Sequence, residues 1–182
     1  MNKLKIIAVL AVLIAAGLCS IAIAGAKDAD LHSRVQATLD NFYAQNPSHR
    51  ELIEKAAGVL VFPHISKGGL GIGGEKGRGT LLIDGSEVAR YEIKGASLGA
   101  TLGYADRSEV ILFMTQEARN RFERSKGWTI GADVGIAVAS KGAGGQYDSE
   151  TLQRPILAFV LGEHGLIADV SLQGEKVTRL GS

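Results

Sequence analysis

Leu31, Val35, Leu39 and Phe42 recur at three- and four-residue steps with Tyr43 beside them, a period that predicts an amphipathic helix over residues 28–45. Asp28 and Asp30 suit its first turn through the helix dipole. Pro47 interrupts it. Ser48-His49-Arg50-Glu51 then reads as a capping box opening a short helix through Lys55 that Gly58 ends. From Val59 the period becomes that of strands. It predicts strands near 58–65, 69–74, 79–84, 88–93, 97–104, 108–114, 129–139, 155–161, 166–172 and 175–180. Leu98, Ala100, Leu102 and Tyr104 alternate with Gly99, Thr101 and Gly103, one bulky face against one bare face. Gln116–Lys126 interrupts the series as a short charged helix with Ala118 and Phe122 facing inward, and Lys141–Ser149 reads as a loop. Asp84-Gly85 and Asp106-Arg107 read as turns. Helices first, then many short strands with one helix between them, predict an α+β domain: a curved antiparallel sheet or barrel-like β core with N-terminal helices and one interposed short helix.

Glycine sharpens that expectation. The chain has 24 glycines, about 13% and roughly double the usual share. They sit inside the strand-like segments rather than in a linker. Glycine within a strand marks a bulge, a sharp bend or the close approach of another backbone.

The first two dozen residues are of another kind. Lys3 and Lys5 precede an apolar run from Ile6 to Ile23, and Ala22-Ile23-Ala24 offers small residues for cleavage. Residues 1–24 therefore read as a signal peptide, or as a membrane anchor if retained, with residues 25–182 as one domain. Cys19 offers a third route, lipid attachment, although Leu18 stands where a small residue is expected. The leader carries Lys3 and Lys5 and no acid, so the remainder is near neutral and has no cysteine. That composition excludes a disulfide framework and the dense basic surface of a nucleic-acid binder.

Two catalytic strings occur without their contexts. Gly69-Leu70-Gly71-Ile72-Gly73-Gly74 matches G-x-G-x-x-G, but a strand-like stretch follows instead of the helix that dinucleotide binding needs. Gly95-Ala96-Ser97-Leu98-Gly99 matches G-x-S-x-G, with Asp133 or Asp148 and then His164 in hydrolase order; yet Ser97 opens a strand-like stretch. His32, His49, His64 and His164 lack ligand spacing, so no metal and no cofactor are expected. Lys67, Lys76 and Arg78 crowd the first glycine-rich turn, where backbone amides and adjacent cations together suit an anion. Arg119, Arg121, Arg124 and Lys126 line the short helix, offset by Glu117 and Glu123.

The segments Ala57-Gly58 through Phe62-Pro63, Lys67-Gly68-Gly69 to Gly79, and the spaced Gly95, Gly99 and Gly103 resemble the SYLF-domain family. So do Ile130-Gly131-Ala132-Asp133 with Lys141-Gly142, and Gly165-Leu166-Ile167-Ala168 with Ser171-Leu172-Gln173-Gly174. The likeness runs from about Leu52 to Val177. It implies lipid binding and, for some eukaryotic members, actin binding. Here Glu87-Val88-Ala89-Arg90-Tyr91-Glu92 stands where those members carry Trp-Ser-x-Pro, and the leader points to export, so actin is not carried over. The expectation is a non-enzymatic lipid- or phospholipid-binding protein of the bacterial cell envelope, periplasmic or membrane-associated. Its expected partners are anionic phospholipid or another envelope lipid. The alternative is an envelope structural or protein-interaction module without direct lipid recognition. The lipid-binding candidates are Leu31, Val35, Leu39 and Phe42 entering the headgroup boundary, with Lys67, Lys76 and Arg78 meeting phosphate. Packing of the helix against the β core is the competing role for the four apolar residues.

Overall fold

Pro63 lies in the interior of a long strand, β1 (Gly58–Gly68), where a residue without an N–H would ordinarily break the ladder. It is accommodated by a bulge: the pairing of β1 shifts between Val61 and His64 on one side and between Phe62 and Ile65 on the other. The structure, a computed structural model, describes residues 29–68, 72–98, 105–130, 137–138, 152–162, 165–166, 172 and 174–181. The chain divides into two compact units, Met1–Ser33 and Arg34–Ser182. In the first, the described residues 29–33 are helical.

In the second, residues 34–45 form helix α1 and Ser48–Lys55 form α2. The strands β2 (Ile72–Ile83), β3 (Ser86–Leu98) and β4 (Ala105–Phe113) follow, then α3 (Gln116–Arg124). After it come β5 (Trp128–Thr129), β6 (Ala137–Val138), β7 (Ile156–Gly162), β8 (Gly165–Leu166) and β9 (Lys176–Leu180). The strand order is β5-β9-β3-β2-β1-β4-β7-β6, with β8 beside β7. The sheet is curled and antiparallel except for β6, which runs parallel to β7. An α+β domain on a curved sheet is thus what the chain forms.

The described part of the predicted strand 69–74, residues 72–74, and the predicted strand 79–84 are one; residues 69–71 lie outside the described residues. Gly77 and Gly79 lie inside β2, opposite the β1 bulge. A Cβ on Gly79 would meet the Val61 carbonyl oxygen and come within 2.5 Å of Phe62 Cδ1. A Cβ on Gly77 would lie 2.7 Å from the His64 carbonyl oxygen and 2.8 Å from Ile65 Cγ1. The two glycines make room for β1 to fold over β2. Asp84 and Gly85, at φ 49° and 76°, form the two-residue hairpin turn to β3. Asp106 and Arg107, expected to turn, instead lie within β4. The expected segments 99–104, 131–136, 139–149 and 167–171 lie outside the described residues.

The central strands are buried on both faces. On one, Leu60, Phe62, Ile65, Ile111, Phe113, Ala158 and Val160 pack with Phe122 of α3 and with Trp128. Phe122 meets Phe113 at 4.8 Å and Trp128 at 5.1 Å between ring centroids. On the other face, Val59, Val61, Val110, Leu112, Leu157, Phe159 and Leu161 are buried as well. There Phe42 of α1 packs edge-on against Phe159 at 4.8 Å. His49 of α2 stacks on Phe42 at 3.8 Å and donates from Nδ1 to the Phe42 carbonyl.

The helix ends differ from expectation in their chemistry. The capping box on Ser48 does not form; Asn46 Oδ1 accepts from the Ser48 N–H at 3.0 Å and from its hydroxyl at 2.9 Å. Ala56 ends α2, and Gly58 opens β1 instead. Thr115 caps α3, its hydroxyl accepting from the Ala118 N–H at 3.2 Å. Thr115→Ala is expected to lower stability by about 1 kcal/mol, seen as a lower urea midpoint at unchanged slope.

Candidate functional site

Away from α1, the same outer face of the sheet is polar and exposed. Register places Ser66 of β1, Lys76 of β2, Lys94 of β3 and Lys176 of β9 directly opposite one another. Neighbouring strands lie about 4.8 Å apart, so the three lysine Cα atoms fall in a row roughly 10 Å long. The next row holds His64, Arg78, Glu92 and Thr178. Lys76, Arg78, Lys94 and Lys176 are all exposed. Glu92 accepts from Lys94 at 2.6 Å and from Lys76 at 3.2 Å. The Lys94 hydrogen bond, reinforced by Lys76, holds its carboxyl below the usual range. His64 stands at the rim, 2.8 Å from Ser66 Oγ and 3.7 Å from Asp106. The Lys176 stem lies over Gly127, where a Cβ would come 2.8 Å from its Cε. The ammonium ends of these pairs lie in solvent, where an ion pair contributes little to folding, so they can turn to an external anion at small cost.

The opposite face of these strands carries a different cluster. Arg107 donates to Glu75 at 2.7 Å, to Glu109 at 2.9 Å and to Glu175. The four side chains are only 11%, 10%, 0% and 6% exposed respectively. One guanidinium thus meets three carboxyl groups out of water. Burial alone would lower the Arg107 pKa, but attraction to Glu109 and the bonds to Glu75 and Glu175 raise it. Burial raises Glu109 against the opposing pull of Arg107. Burial, then repulsion from Glu109 and Glu75, pushes Glu175 up to about 9. Among the described residues no three His, Cys, Asp or Glu side chains are arranged to hold a metal ion.

The structure separates the residues that the sequence grouped. Val35, Leu39 and Phe42 are buried within Arg34–Ser182, so they face the core here rather than a headgroup layer. Leu39 also lines a cavity of about 380 Å³ with Ile53, Val59 and Leu82. Leu31 is half-buried in Met1–Ser33. Lys76 and Arg78 share the outer face but lie mid-strand, because β2 runs straight through the expected turn. Lys67 pairs in register with Glu75 and Ala105, one residue out of step with the lysine row and on the row of the buried cluster. Lys176 escaped sequence reasoning, since the strand order that sets it beside Lys94 leaves no local signal. On α3, Arg119 is structural: it donates to the Ala57 carbonyl at 3.0 Å.

The described residues of both catalytic strings lie in strands. Gly74 is followed by the rest of β2, and Ser97 lies in β3 opposite Gly73. Asp133, Asp148 and His164 are outside the described residues.

Residues 94–180 match the Ysc84 family model, described as Las17-binding protein actin regulator. No curated protein matches the chain. The matched stretch begins at Lys94 of the lysine row and contains Arg107, Glu109, Glu175 and Lys176. The likeness to the SYLF-domain family is thus found again over residues 94–180.

Proposed function

We propose that this protein is a non-enzymatic lipid-surface-binding protein of the cell envelope, docking on anionic phospholipid through the outer face of β2, β3 and β9. The observation that carries this reading is the in-register row Lys76–Lys94–Lys176 with Arg78 beside it. A row of exposed ammonium groups on a sheet suits a surface of phosphates better than a single buried ligand. Lipid binding by some members of the family supports it. The leader pattern of residues 1–24 supports delivery to the envelope. The actin regulation named in the family description is not extended to this chain.

Co-sedimentation of the full chain with phosphatidylglycerol or phosphatidylcholine vesicles tests the reading. Binding to the anionic vesicles alone, weakened by salt, is expected. A basic residue near an anionic surface contributes about 1 kcal/mol, so replacing Lys76, Lys94 and Lys176 together with alanine should weaken binding by roughly 100-fold. Equal binding to both vesicle types, or to neither, would falsify the docking reading. Binding to anionic vesicles that the triple variant leaves intact would remove this face from it.

A further inference from the structure

Glu175 and Lys176 are adjacent in the chain and serve opposite faces of the same sheet. Glu175 closes on Arg107 and Glu75 inside, while Lys176 completes the lysine row outside. The chain enters β9 through a tight turn. Gly174, at φ 87°, donates its N–H to the Ile130 carbonyl at 2.9 Å, and the Ile130 N–H donates to the Glu175 carbonyl at 2.9 Å. Among the described residues, β9 pairs on its outer edge at Lys176 and Val177, with Thr129 and Trp128, next to the two Ile130 bonds. The side-chain anchor at Glu175 adds to these backbone bonds and to the β3 ladder in seating the start of β9.

That anchor needs a proton. With every carboxylate ionised, Glu175 Oε2 and Glu109 Oε2 are buried without a hydrogen-bond partner. A proton on Glu175 supplies a donor, and the Glu75 carboxylate, which shares Arg107 Nη2 with it, is the neighbouring acceptor. Among the described side chains, the charged and titratable groups facing Glu175 are Glu75 from β2 and Arg107 and Glu109 from β4; on β1 the register position opposite Glu75 is that of Lys67. β3 presents Gly95 and Ile93, β7 presents Val160 and β9 presents Val177, none of them titratable.

We propose that the Glu75–Glu175 carboxyl pair, clipped by Arg107, is a proton-operated latch that seats the start of β9 and thereby holds Lys176 in the lysine row. The coupling to Lys176 rests on the lipid-docking reading; the latch itself does not. The step is a simple proton loss from Glu175 to solvent, leaving carboxylates that repel Glu75 and Glu109. The sign is fixed by the raised pKa of Glu175, about 9 against an ordinary 4.5. The seated form binds the proton more tightly than the released form, so it is favoured at low pH and lost as pH rises toward 9.

Trp128, the only tryptophan, is buried and lies opposite Val177, so its emission reports the seating of β9. In the full chain, amide protection across residues 176–180, corrected for intrinsic exchange, is expected to fall at least tenfold between pH 6 and 9. Trp128 emission should shift to the red over the same range. Glu175→Gln keeps the shape and a donor but cannot ionise, and its protection should change less than threefold. If that variant does not fold, Glu75→Gln tests the same bond from the other side. Wild-type protection that is flat over this range, or a glutamine variant that follows the wild type, overturns the latch. Affinity for phosphatidylglycerol vesicles should fall with pH in the wild type and not in Glu175→Gln. Release of β9 without change in affinity overturns the coupling to Lys176. Absence of vesicle binding at every pH overturns the docking reading, and exchange still decides the latch.

Discussion

Replacing Gly79 with alanine should destabilise the protein by about 3 kcal/mol or more, a large share of the roughly 5–15 kcal/mol that holds a domain folded. The added methyl meets the Val61 carbonyl oxygen and the Phe62 ring at once. Phe62 is fully buried and cannot swing away, and Val61 belongs to the ladder of β1. Relief requires the bulge at Phe62-Pro63-His64 to move, and with it the pairing of β1 to both neighbours. Gly74→Ala is the internal control. A Cβ there meets nothing within 4 Å, so its effect should stay within about 0.5 kcal/mol. Urea unfolding of the two variants beside the wild type decides the matter. Equal midpoints would mean that β2 tolerates a side chain at its most crowded point.

Arg107→Met is expected to cost about 3–5 kcal/mol, because it leaves Glu75, Glu109 and Glu175 buried without their cation. The loss should be larger at pH 8 than at pH 5, since the stranded carboxyl groups can escape by protonation. Adding Glu109→Gln to Arg107→Met should recover part of the stability by removing the most deeply buried of the three carboxyl groups. A pH-independent loss would point instead to the packing of the arginine stem. Thermal unfolding at the two pH values separates these outcomes.

The elements of this fold were legible wherever a local period or a local steric demand wrote them. The three- and four-residue spacing of Val35, Leu39 and Phe42 marked α1, and Phe122 with Ala118 marked the inner side of α3. Asp84-Gly85 marked its hairpin, because few other residue pairs accept two positive φ angles. The excess of glycine foretold close backbone approach, and Gly77 and Gly79 show it. The same glycines misled on continuity. A glycine-rich stretch reads as a break, yet β2 passes through Gly73, Gly74, Gly77 and Gly79 as one strand. Pairing with β1 and β3 on both sides supplies the hydrogen bonds that local propensity does not.

Sequence alone determined the class of domain, the apolar face of α1 and the inward side of α3, since those follow from which neighbours in the chain are apolar. Only the tertiary structure decided which charges meet. Lys94 and Lys176 are 82 residues apart, and Arg107 lies 68 residues from Glu175; strand order alone brings each pair together. The physical reason is the two-residue alternation of a strand. Each cation is sent to one face or the other by its register, and register is fixed by partners distant in the chain. Lys67, Lys76 and Arg78 look like one basic cluster in the sequence. In the sheet, the position of Lys67 falls on the row of the buried acids, while Lys76 and Arg78 face outward.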